Sequence, residues 1–106
     1  MRIQVLVDDT ISQQARTYAE YRVFAALTQL AAADQVTDAS VVLRHVKRSD
    51  EGQVVTCMVT VTREGSNTMR VRTTGDHPYA AINRAVERLR TTSTSERVDW
   101  GVVENG

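Results

Sequence analysis

Apolar and polar residues alternate from Arg2 to Val7, which puts Ile3, Val5 and Val7 on one face and Arg2, Gln4 and Leu6 on the other, the two-residue period of a strand. Asp8, Asp9 and Thr10 interrupt that pattern, and the period then lengthens. Ile11, Ala15, Tyr18, Ala19, Arg22, Val23, Ala26, Leu27 and Leu30 recur at three- and four-residue steps, predicting a long amphipathic helix with Ser12 as its N-cap. Ala31 to Ala33 and Asp34 are expected to finish it, because alanine extends a helix at little cost while Asp favours caps and turns.

Ala39 to Val46 and Gln53 to Thr62 are rich in β-branched residues and are separated by a turn containing Ser, Asp and Gly, so they predict an antiparallel pair. A second turn signal at Glu64 to Asn67 leads into Thr68 to Thr73, where Met69 and Val71 alternate with Arg70 and Arg72. The final helix is predicted over Asp76 to Leu89. Pro78 suits its first turn, Asp76 or His77 is the cap, and Ile82, Ala85, Val86 and Leu89 form the buried stripe.

The order β-α-β-β-β-α defines an α+β fold, a four-stranded sheet with two helices packed on one face, since only the helix stripes and one strand face are apolar enough to make a core. This arrangement is close to that of the double-stranded-RNA-binding domain, an analogy of fold that says nothing by itself about function. Residues 1–92 are expected to form the domain and 93–106 a flexible C-terminal tail, in which Trp100, Val102 and Val103 are apolar enough to dock on the domain or on a partner chain.

Composition narrows the function classes. The 106 residues, 42% apolar and 25% charged, suit one soluble domain with a single core. Thirteen basic residues balance thirteen acidic ones, so any nucleic-acid footprint must be local. Cys57 is the only cysteine, which excludes an internal disulfide and a cysteine metal site; it alternates with Val55, Val59 and Val61 and is expected to be a buried, inert thiol. No leader-like segment and no apolar run of about 18 residues is present, so the cytoplasm is the expected compartment and no membrane partner is expected.

Nothing in the chain assembles an active site. His45 is expected on the solvent side of its strand, His77 beside a helix cap, and the adjacent Asp8 and Asp9 point apart, as turn residues do. Without metal-ligand spacing, a glycine-rich phosphate loop or a nucleophile motif, neither enzyme nor cofactor, metal or small-molecule substrate is expected. The basic residues group better. Arg84 and Arg88 lie one turn apart on the final helix with Arg90 following, Lys47 and Arg48 lead into a turn, Arg16 and Arg22 lie on the first helix, and Arg44, Arg70 and Arg72 lie on strands. For any one arginine the plain reading is a solvated surface charge, offset by Glu20, Glu51, Glu64 and Glu87.

The acidic Asp76, the run Tyr79 to Ile82 and the pair Arg88 and Leu89 resemble the last helix of the ribosome hibernation-promoting factors, also called ribosome-associated inhibitor A, ribosomal subunit interface or sigma-54 modulation proteins. RIQVLVDDTISQQARTYAEYRVFAAL is similar to their first strand and helix, and VVLRHV with VVTCMVTVTREG to their second and third strands, so the resemblance spans roughly Arg2 to Thr92. It implies a short family form that occupies the decoding region of the small ribosomal subunit, inhibits translation under stress and binds rRNA. On that resemblance Arg22 and Arg88 fall on basic family positions, with Arg84, Arg90, Lys47 and Arg48 as further rRNA-binding candidates. The chain departs from the family at Ala25, Ala26, Thr28 and Gln29, and again at Thr91 to Ser95, where family members carry further basic residues. The alternative expectation is a diverged protein-interaction module of the same fold, homodimerising through the Thr-rich outer sheet face or the Trp100 tail without ribosome binding.

Overall fold

The computed structural model describes residues 1–29, 36–48, 52–64 and 67–94. Its elements are β1 (Arg2–Val7), α1 (Gln13–Thr28), β2 (Val36–Arg48), β3 (Gly52–Arg63), β4 (Asn67–Gly75) and α2 (Pro78–Thr94). The α+β order β-α-β-β-β-α is the expected one. The strands form one mixed sheet in the order β1-β2-β3-β4. β1 pairs parallel with β2, a connection that requires a crossover and receives it from α1, while β2, β3 and β4 form an antiparallel meander.

Strand alternation divides the sheet cleanly. Val5, Ala39, Val41, Leu43, Val55, Cys57, Val59, Val61, Met69, Val71 and Thr73 are buried on one face. Against them pack Ile11, Ala15, Ala19, Val23, Ala26 and Leu27 of α1 and its lead-in, and Ala81, Ile82, Ala85, Val86 and Leu89 of α2. Small alanines on both helices let the backbones lie close to the valine-rich sheet. Cys57 is fully buried, and burial in that apolar layer pushes its thiol up to about 12. Native alkylation of Cys57 should therefore be slow and should accelerate sharply in denaturant; rapid native labelling would overturn its place in the core.

Each end of each helix has a local cause. Ser12 takes an extended conformation and its Oγ accepts from the Ala15 N–H at 3.1 Å, as the N-cap reading anticipates. α1 stops at Thr28 with Gln29 as C-cap, earlier than expected, and Leu30 with the expected terminus Ala31 to Asp34 lies outside the described residues. At α2 the two candidate caps resolve to His77, whose Nδ1 accepts from Ala80 N at 3.2 Å while its carbonyl accepts from Ala81 N. α2 runs on past Leu89 to Thr94, a polar extension in sequence of a helix already anchored by its apolar stripe. That carries the helix beyond the expected boundary at residue 92. The remaining tail, Trp100 included, lies outside the described residues.

The junction of β4 with α2 is closely packed. Thr73 Oγ1 donates to the Ala81 carbonyl at 2.7 Å in a buried contact, and a Cβ on Gly75 would sit 2.7 Å from Ala81 N and 2.9 Å from Ala80 Cβ. At this same end of β3 the pairs Val46 with Val54, Lys47 with Gln53 and Arg48 with Gly52 continue beyond Val55 and Gly75, where the β3–β4 ladder ends. The β2–β3 hairpin thus projects past its neighbouring strands as a two-stranded arm. Gly52 supplies a left-handed residue (φ 76°) where the arm turns.

Candidate nucleic-acid interface

The two helices lie side by side on the sheet and are stitched together by Tyr18. Its hydroxyl donates to Asn83 Oδ1 at 2.6 Å, and its ring meets Tyr79 edge to face with centroids 5.0 Å apart. Arg22 follows Tyr18 by one turn on α1, half-buried, with its Nε shielded from solvent and without a hydrogen-bond partner. Arg84, Arg88 and Arg90 are exposed on α2.

The structure brings some of the expected site residues together and leaves others apart. Arg84 and Arg88 line one groove along the seam between α2 and β4, together with Glu87, Thr91, Thr73, Thr74 and Arg72. Arg84 is held there by donating from Nη1 to the Thr74 carbonyl at 2.6 Å. Among the described residues, Arg22, Arg84 and Arg88 form no ion pair with a carboxylate. The expected offset by glutamates is thus not realised as contacts at these three positions. Lys47 and Arg48 occupy the projecting β2–β3 arm, away from the seam, and their side chains lie outside the described residues. Arg72, on an outward-facing position of β4, was not expected in this group; nothing in the sequence signals that packing of α2 against the edge strand would bring it there.

A second polar cluster sits where β1 ends. Asp8 Oδ1 accepts from Thr10 N at 2.9 Å and from the Thr10 hydroxyl, and Oδ2 accepts from His45 N at 2.7 Å. The Thr10 hydroxyl also contacts His45 Nδ1. His45 therefore departs from its expected solvent side: it follows Ala39, Val41 and Leu43 on the helix-facing side of β2, opposite the buried Val55 at the end of the core, where its polar ring is satisfied by Asp8 and Thr10. Asp8 acts as the turn residue it was expected to be. Its carboxyl is held well below the usual carboxylate range, first by the Thr10 hydroxyl and then by the His45 N–H. A lowered folded-state pKa means that this contribution is fully present above the ordinary carboxylate value of about 3.9 and is lost as pH falls through the lowered one. Asp8→Asn should cost about 1–2 kcal/mol at pH 7, and the gap to wild type should close in acid; an equal gap at pH 7 and pH 2 in denaturant titrations would contradict the assignment.

Among the described residues no group of three or more His, Cys, Asp or Glu side chains is placed to hold a metal ion, and no helix is long and apolar enough to cross a membrane. What the fold and surface define is a two-layer α+β domain whose helix side carries Arg22, Arg84 and Arg88, none with a carboxylate partner among the described residues. The chain belongs to the family described as sigma 54 modulation protein / S30EA ribosomal protein, whose model matches residues 7–92. Membership of that family connects this chain to the ribosome, and the family is in general one of non-enzymatic proteins. A solved structure of a ribosomal subunit interface protein from Coxiella burnetii is similar with a TM-score of 0.69 at 17% identity, covering 93% of this chain and 100% of that one. At that identity the likeness shows the shared fold. No curated protein matches the chain.

Proposed function

We propose that the protein is a translation inhibitor of the hibernation-factor type, which binds the small ribosomal subunit and occupies its decoding region in the cytoplasm under stress. No bond is made or broken; mRNA and tRNA are excluded by the volume of the domain. The observation that carries this reading is the set of helix-side arginines, Arg22, Arg84 and Arg88, which have no carboxylate partner among the described residues in a protein whose formal charges cancel. Arginine suits the role, because its planar fork matches phosphate oxygens in a bidentate geometry. Arg90 lies further along the same helix, and Lys47 and Arg48 belong to the projecting β2–β3 arm.

One observation favours a second reading. On the outer sheet face Leu6, Val42 and Met58 occupy one cross-strand row, and Leu6 is 52% exposed, which suits a homodimer built on that face. Sedimentation of the tagged protein with purified small subunits, read beside its oligomeric state alone, separates the two. Salt-sensitive association supports the ribosome reading, whereas a stable dimer without association supports the other.

A further inference from the structure

The expected footprint lies on the helices. The seam between β4 and α2 extends it. Among the described residues β4 is an edge strand of the sheet, and Arg72 points outward from it, in the row that continues from Leu6, Val42 and Met58. Even so, Arg72 lines the same groove as Arg84 and Arg88 of α2. Three arginines from two elements, with Thr73, Thr74 and Thr91, thus line one concave surface. Glu87 is the single carboxylate among them. The bond from Arg84 to the Thr74 carbonyl ties one guanidinium to the β4 backbone, so that this cation belongs to both layers and its position costs little ordering on binding.

We propose that this seam is a phosphodiester-binding site in which Arg72 acts with Arg84 and Arg88, so that a bound RNA backbone reaches the β4 edge of the sheet instead of staying on the helices. The inference rests on the RNA-binding reading above, but it concerns a different element and can fail separately. Glu87 is the built-in opponent of the ligand: it sits among the cations and repels a phosphate, which sets the affinity of the seam below what three arginines alone would give. A site of this composition takes the backbone of RNA without regard to sequence, because none of its groups is aimed at base edges by an element that could enter a groove.

The test uses the full chain, labelled, with two probes: purified small ribosomal subunits and a uridine decanucleotide. Arg72→Ala is expected to weaken binding about fivefold at 100 mM salt and to reduce the salt slope by about 0.7. Arg72→Lys, which keeps the charge, is expected to retain the slope. Glu87→Gln should strengthen binding several-fold, an outcome that a merely structural role for the seam does not produce. Arg44→Ala, exposed on β2 away from the seam, is the control. If Arg72→Ala matches Arg44→Ala while Arg84→Ala and Arg88→Ala both weaken ribosome binding, the seam inference is overturned and the ribosome reading stands. If Arg72 matters for the oligonucleotide but wild type ignores ribosomes, the seam stands and the ribosome reading falls. Binding to neither probe, or a Glu87→Gln protein indistinguishable from wild type, also overturns the seam.

Discussion

Replacing Arg84 and Arg88 together by alanine is expected to lower affinity for the small subunit roughly thirtyfold at 100 mM salt and to flatten the salt dependence by about 1.4–1.8 logarithmic units per decade, the loss of two phosphate contacts. The wild type, with about four such contacts from Arg22, Arg84, Arg88 and Arg90, should lose roughly a hundredfold in affinity between 50 and 200 mM salt. These side chains contribute little to folding, because Arg84 and Arg88 are exposed and form no ion pair with a described carboxylate, so the melting temperature should hold nearly constant in the double variant. Arg22 differs. Its half-buried stem and shielded Nε make Arg22→Ala a packing change as well as a charge change, so it should cost both stability and affinity. Arg44→Ala should leave both untouched. A double variant that binds as tightly as wild type, or a salt series with no slope, would sink the proposed phosphate contacts on α2.

The neutral composition sharpens this expectation. A strongly basic protein adheres to RNA everywhere and spreads the effect of each charge, but here thirteen basic residues face thirteen acidic ones. Binding then has to depend on placement. That is why two arginines of the thirteen basic residues are expected to carry a measurable share of the affinity, and why one glutamate in the wrong groove is expected to be felt.

The kinds and order of elements were legible in the chain because burial here is one-sided: every strand alternates and both helices carry an apolar stripe. Boundaries were less so. β2 extends from the expected Ala39–Val46 to Val36–Arg48, since backbone pairing with β3 continues through polar residues such as Asp38 and Lys47 that carry no apolar signal. α2 extends through Arg90 to Thr94 for the same reason. His45 shows the opposite error, a polar residue assigned outward by chemistry although its register with Ala39, Val41 and Leu43 placed it inward. For the interface, the pairing of Arg84 with Arg88 follows from helical spacing alone. Arg72 does not, because its approach to them depends on where α2 lands on the sheet.

That landing is fixed at Gly75, and Gly75→Ala is expected to damage both the fold and the seam. The added Cβ would meet Ala81 N at 2.7 Å and Ala80 Cβ at 2.9 Å, neither of which can rotate away, so the first turn of α2 must shift from the end of β4. Overpacking of this kind costs about 1–3 kcal/mol. For a domain of this size each kcal/mol lowers the melting temperature by about 4–8 °C. The shift would also strain the Thr73 to Ala81 bond and pull Arg84 from the Thr74 carbonyl, so stability and ribosome binding should fall together, unlike in the double variant of Arg84 and Arg88, where only binding falls. Gly52→Ala supplies the contrast: its Cβ would meet nothing within 4 Å, but its φ of +76° is unfavourable for alanine, so the cost is backbone strain confined to the arm. Thermal melts and subunit binding of both variants, measured side by side, decide the matter: a Gly75→Ala protein that melts within a degree of wild type would show that α2 does not press on β4 as closely as the structure has it, and the seam that depends on that packing would go with it.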